Sequence, residues 1–119
     1  SMHTINIKRV YEKPAENDGY RMLIDRLWPR GLKKELAHIN EWNKTIAPST
    51  ELRKWFGHDP EKFEQFAKLY KAELKQYPNA LRNITALTKT QPLTLLYAAK
   101  DKEHNHAIVL LSVLRNLVK

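Results

Sequence analysis

With 119 residues, 42% of them hydrophobic, and with 3 Trp, 5 Tyr and 3 Phe, the chain has the length and apolar content of one packed domain, residues 1–119. The lack of cysteine excludes disulfides, thiolate metal sites and a cysteine nucleophile; the longest apolar run, AIVLL at 107–111, is too short to span a bilayer, so a cytoplasmic protein without membrane contact is expected. A formal charge of +8 attracts polyanions, but Lys and Arg are scattered from Lys8 to Lys119 with acids between them, the pattern of a solvated surface. Ser1 ahead of Met2 reads as a remnant of expression.

In chain order, Ile5 and Ile7 alternate with polar neighbours and lead to Val10 and Tyr11, which predicts a first strand over 4–11. Residues 12–20, with Pro14 and the pair Asp18-Gly19, are turn-rich. RMLID at 21–25 predicts a second strand, and WPRGL at 28–32 a loop, because Pro29 and Gly31 both break regular structure. Residues 33–48 fit two descriptions. Ile39, Trp42 and Ile46 make a helical stripe, while the alternation around Trp42 fits an edge strand. Ser49 is placed to cap a short helix that contains Trp55 and Phe56 as core residues and ends at Gly57.

Asp59-Pro60 restarts the chain as N-cap and first helical residue. Phe63, Phe66, Ala67, Tyr70 and Leu74 then mark one face of a helix to about 76, with Glu64 and Lys68 as an outer i,i+4 pair. Tyr77-Pro78 opens another helix, with Ala80, Leu81, Ile84 and Leu87 inward. LTLLYAA at 93–99 is a nearly unbroken apolar run, the mark of a strand covered on both faces. A last helix follows KDKEHN, with Ala107, Leu110, Leu111, Leu114 and Val118 buried. Strands alternating with helices predict an α/β fold with a buried central sheet.

Ligands of parallel sheets bind beyond the carboxyl ends of the strands, so polar residues just past the strands are the first candidates. After the second strand stand Asp25, Arg26, Trp28 and Arg30; after the last stand Tyr97, Asp101, His104, Asn105 and His106. Arg26 and Arg30 are planar donors suited to phosphate or carboxylate, or alternatively partners of Asp25 and Glu35 in surface ion pairs. A helix start near 102–106 adds free N–H groups. Arg53 and His58, around the Gly57 turn, form a second group. His104 and His106 do not read as metal ligands, since positions two apart on a helix point away from each other, and no metal or cofactor is expected. No GxGxxG, P-loop or GxSxG occurs, and 3 glycines cannot build a phosphate cradle.

Three blocks, DGYRMLIDRLWPRGLKKE, APSTELRKWFGHDPEKFEQFAKLYKAEL and LTLLYAAKDKEHNHAIVLL, resemble in order the hallmark segments of the DUF488 family, in its YeaO-like branch. The resemblance implies a three-layer α/β/α sandwich with a small, mainly parallel central sheet, and no established reaction. It points to Asp25, Arg26, Trp28, Pro29, Arg30, Gly31, Ser49, Arg53, Trp55, His58, Tyr97, Asp101, His104 and Asn105 as motif positions. Another branch has a Cys-His-Arg group where this chain has Glu103, His104 and Asn105, so thiol chemistry does not transfer.

The expected function is binding of an anionic, phosphate-bearing small molecule at the strand carboxyl rim. Arg26, Arg30 and Arg53 would supply charge, with Trp28 beside them, and Tyr97 and Asn105 would orient the ligand. His58 or His104 would be general acid or base if there is catalysis, with Asp25 or Asp101 as orienting carboxylate. The alternative is a nucleic-acid-binding module that stacks bases on an exposed Trp28 between Arg26 and Arg30. A third reading, a scaffold whose rim binds a partner protein, has no residue that selects it, and no sequence feature sets the oligomeric state.

Overall fold

Parallel pairing dominates the computed structural model, which describes residues 2–119; Ser1 lies outside the described residues. Four strands, β1 (Ile5–Arg9), β2 (Tyr20–Leu23), β3 (Glu41–Trp42) and β4 (Leu93–Tyr97), form one sheet in the order β1-β4-β2-β3. All three pairings are parallel. Five helices accompany them: α1 (Lys34–Ala37), α2 (Thr50–Phe56), α3 (Phe63–Leu74), α4 (Pro78–Leu87) and α5 (His106–Leu117). This is the expected α/β fold with a small central sheet. No helix among the described residues is long and apolar enough to cross a membrane.

The central strand β4 is buried at all five positions, which accounts for its unbroken apolar sequence. Its side chains alternate between two clusters. Leu93, Leu95 and Tyr97 join Met22, Ile24, Phe56, Phe66, Tyr70, Leu110 and Leu114 under α2–α5. Leu96 turns the other way, to Val10 and Leu23, where Trp28, Leu32, Ile39 and Trp42 complete a smaller cluster. The layer on that second face is thin. It consists of the single turn α1 and the irregular segments around it.

Most helix boundaries follow the caps read from the sequence. The Ser49 hydroxyl accepts from the Leu52 N–H at 3.1 Å, and Gly57 ends α2 in the left-handed conformation with φ 53°. Asp59 accepts from the Glu61 N–H at 3.0 Å and starts a 3₁₀ turn, Pro60–Lys62, that runs into α3. In the segment 33–48 the edge-strand description holds around Trp42, in the two-residue β3, whereas the helical stripe of Ile39, Trp42 and Ile46 does not form; the single helical turn, α1, precedes it.

Trp55 corrects an expectation. It is 41% exposed, with the Lys62 ammonium 5.2 Å from its ring, rather than in the core. Leu52 and Phe56, four apart, already fill the inward face of the seven-residue α2, and Trp55 falls to its side. Glu64 and Lys68 form no ion pair among the described residues.

At the amino-terminal end of β2 the second face is polar and closed. Asp18, 7% exposed, receives Lys8 Nζ at 2.9 and 3.0 Å, the Ala15 N–H at 2.9 Å and the Arg21 guanidinium. Arg21 also donates to the carbonyls of His38 and Ala37, at 2.9 and 3.0 Å, which ties α1 to the sheet. Between Asp18 and β2, Gly19 has φ 66°, and a Cβ there would lie 2.1 Å from the Pro92 carbonyl oxygen. Only glycine fits that crossing.

Candidate functional site

Because β1, β4 and β2 are parallel neighbours, the segments that follow them leave the same edge of the sheet. The turn after α2 closes the side. A cavity of about 590 Å³ opens between them, lined among others by Asp25, Arg26, Trp28, Arg30, Arg53, His58, Asp101 and Asn105. Those are the predicted site residues except Tyr97 and His104. Leu27, Pro29, Pro48, Phe56 and Phe66 form apolar parts of its wall.

The arginines differ in their commitments. Arg26 donates from Nε to the Pro48 carbonyl at 2.9 Å and from its terminal nitrogen to the Ala47 carbonyl at 3.2 Å. It pairs with neither Asp25 nor Glu35, and it braces the segment leading into α2. Arg30, Arg53 and Lys100 are exposed, and none of their side chains has a hydrogen-bond or ion-pair partner among the described residues. The Arg30 carbonyl accepts the Tyr11 hydroxyl at 2.7 Å, which anchors the backbone of this loop while the guanidinium stays available. His58, exposed, continues the left-handed turn of Gly57 with φ 58°, an uncommon conformation for a residue with a Cβ.

Asp25 accepts the Ala98 N–H on Oδ2 at 3.1 Å, a bond that joins the ends of β2 and β4. Its Oδ1 is buried, and no donor is aimed at it. His106 Nε2 lies 3.1 Å from that oxygen, but it meets the Ile24 carbonyl oxygen at 3.0 Å in better alignment.

Asp101 organises the other wall. Its Oδ1 accepts from the Glu103 and His104 N–H groups at 2.8 and 3.0 Å, and Oδ2 lies 2.9 Å from His104 Nδ1. The Glu103 N–H and the His104 ring together hold the Asp101 carboxyl below its ordinary value. Asn105, 1% exposed, caps α5 by accepting from the Ile108 N–H at 3.1 Å and donates to the Asp101 carbonyl at 2.9 Å. The N–H groups of Glu103, His104 and Ile108 are thus already bonded. The free amides expected at this helix start are reduced accordingly, and positive charge at the rim comes mainly from the side chains of Arg30, Arg53 and Lys100.

Three further placements differ from expectation. Tyr97, 3% exposed, points into the main core, where burial pushes its phenol up. His104 stands outside the lining, against the edge of Phe63 at 5.4 Å between ring centroids. Trp28 is half-buried: its indole N–H donates to the Leu32 carbonyl at 2.8 Å and its ring meets Trp42 edge-on at 5.3 Å. It is not the exposed stacking platform that the nucleic-acid reading requires.

A family model described as "Inactive DUF488-N3 subclade" matches residues 4–119. The chain belongs to the DUF488 family. Similar proteins place it in the YeaO-like branch. The uncharacterized protein YeaO of Escherichia coli (strain K12) is 49% identical over 113 residues, covering 95% of this chain and 98% of that protein. The uncharacterized proteins Rv3073c of Mycobacterium tuberculosis and Mb3100c of Mycobacterium bovis are each 39% identical over 110 residues, 92% of both chains. No solved structure matches it at a comparable level of significance.

In this DUF488 chain the structure adds the rim residues Tyr11 and Lys100, which spacing did not single out, and places in the lining His106, which was named past the last strand but given no role. His106 was legible in part. The pair His104/His106 was judged by helical geometry, but Asn105 is the N-cap, so His104 lies outside the helix and His106 is its first residue. The two rings do diverge, one to Asp101 and the other to Asp25. Tyr97 carried a usable signal too: it shares parity with Leu93 and Leu95 along β4, which places it on the helix-covered face.

Proposed function

We propose that the rim cavity binds an anionic, phosphate-bearing small molecule and that binding, rather than turnover, is its task. One observation carries this reading: Arg30, Arg53 and Lys100 surround the cavity without partners, beside the braced Arg26. Asp25 and Asp101 are the acids in the same wall, so the cations outnumber them. Planar guanidinium groups suit a phosphate, and the apolar wall of Leu27, Trp28, Pro29 and Phe56 suits an organic body attached to it.

Among the described residues no Ser, Thr or Cys lines the cavity, so the rim offers no aliphatic hydroxyl or thiol nucleophile. The matched subclade's description as inactive agrees with a binding role. Within it, Asp25, Asp101 and Asn105 shape the walls, and Arg30, Arg53 and His58 meet the ligand. The reading includes a cytoplasmic setting, where phosphorylated metabolites are abundant.

The test is thermal-shift screening of the parent protein and Arg30→Ala against nucleotides and phosphorylated metabolites at low ionic strength. The parent is expected to gain several degrees with at least one ligand class, and Arg30→Ala to lose most of the gain. Because these cations are exposed, added salt should weaken the effect. A parent protein unmoved by the whole panel would remove the proposal.

A further inference from the structure

We propose that the cavity takes up a proton together with its anion and that His106 receives it; this rests on the anion-binding reading above. His106 is the first residue of the 12-residue α5, its side chain is 14% exposed, and it lines the cavity. A carbonyl oxygen can only accept, so the 3.0 Å approach to Ile24 requires a hydrogen on Nε2. That hydrogen is directed to Ile24, which leaves the nearby Asp25 Oδ1 buried without a donor. A carboxylate satisfied on one oxygen alone leaves a negative field beside the imidazole.

Opposing influences meet at this ring. Asp25, beyond β2, and Asp101, from the loop after β4, favour the imidazolium. The amino-terminal end of α5 disfavours a cation, as do Arg26, Lys100, Arg53 and a protonated His58 in the same wall. From α3 the ring faces Tyr70, 6.2 Å away between centroids, a neutral phenol that donates to the Ile46 carbonyl. An anion entering the cavity offsets the surrounding cations and shifts the ring towards its charged form. By linkage, a proton at His106 must then tighten the anion by the same factor. The rim therefore senses pH across the range in which imidazoles titrate.

The experiment uses sulfate, whose charge is constant between about pH 5 and 8, where imidazole changes its own. Calorimetry in buffers of different ionisation heat counts the protons taken up. Sulfate binding to the parent should absorb a fraction of a proton near neutrality, and affinity should fall with rising pH by about 5–150-fold, the usual span of such couplings. His106→Gln, whose amide can still donate to Ile24, should bind sulfate without that proton. His58→Gln subtracts the contribution of the other imidazole in the wall, and the uptake assigned to His106 should persist in it. Asp25→Asn should move the affinity change to lower pH.

Sulfate binding that ignores pH, or proton uptake undiminished in His106→Gln, overturns this inference and leaves the anion site standing. No sulfate binding at any pH overturns both. If His106→Gln does not fold, NMR titration of the His106 ring in the parent decides: sulfate must raise its midpoint, and an unmoved midpoint overturns the inference.

Discussion

Two aspartate–arginine pairs flank β2, Asp18/Arg21 at its start and Asp25/Arg26 just past its end, and they behave in opposite ways. Both oxygens of Asp18 are occupied, by Lys8, Ala15 and Arg21, and Arg21 directs two further donors to the carbonyls of Ala37 and His38 at the end of α1. Asp25 has one occupied oxygen and one without a donor, and Arg26 turns from it to the carbonyls of Ala47 and Pro48. The first arrangement is internally saturated and serves stability. The second leaves electrostatic capacity at the mouth of a cavity. Residue type does not separate the two pairs; the completeness of the aspartate's hydrogen bonding does.

The strongest test removes Asp18. Asp18→Ala strands Arg21, whose side chain is 5% exposed, and should lower stability by about 3–5 kcal/mol in urea unfolding, the usual cost of breaking a buried pair. A loss under about 1 kcal/mol would break the comparison at its saturated end.

Acid should report the same network. Burial pushes the Asp18 carboxyl up, but the Ala15 N–H and the Lys8 and Arg21 cations together outweigh it, so its folded value lies below the ordinary 3.8. The stabilisation is therefore complete above 3.8 and is lost as pH falls through the folded value. Melting temperature should drop more steeply on acidification in the parent than in Asp18→Asn.

At the other end of β2, Asp25→Asn keeps an acceptor for the Ala98 N–H and should change stability by about 1 kcal/mol or less. A cost equal to that of Asp18→Ala would erase the distinction between the pairs. His58→Gly should stabilise by about 1 kcal/mol or less, since glycine relieves the positive φ while loosening the unfolded chain. Arg30→Ala should leave stability within about 0.5 kcal/mol while weakening anion binding, which sharpens the division between charges that hold the fold and charges that face solvent.

The frame of the molecule was readable wherever a local pattern has one physical outcome. The apolar run of β4 has the length and unbroken character of a strand covered on both faces, and Ser49, Gly57 and Asp59 mark chain punctuation by their own hydrogen bonds or conformation. Once β2 and β4 are parallel neighbours, residues 25–30 and 98–105 must share a rim, which explains why most candidate site residues meet. Direction within an element was less legible. Trp55 is apolar, yet a short helix with Leu52 and Phe56 inward has no room for it; Tyr97 is polar at its tip, yet strand parity sends it inside. The segment 33–48 resisted a single description because two elements divide it. Which charges remain unpaired depends on carbonyls distant in sequence, such as those Arg26 finds at 47 and 48, and no local pattern encodes them.

Arg26 has a counterpart across the rim. Arg9, at the end of β1, donates to the carbonyls of Ala99 and Ala98 at 2.8 and 3.1 Å, so two segments of the cavity lining are each tied down by a guanidinium fork. These struts set the shape of the recess before anything enters it. A visiting molecule would meet walls that already stand, and the ordering it demands would fall on the exposed side chains of Arg30, Arg53 and Lys100.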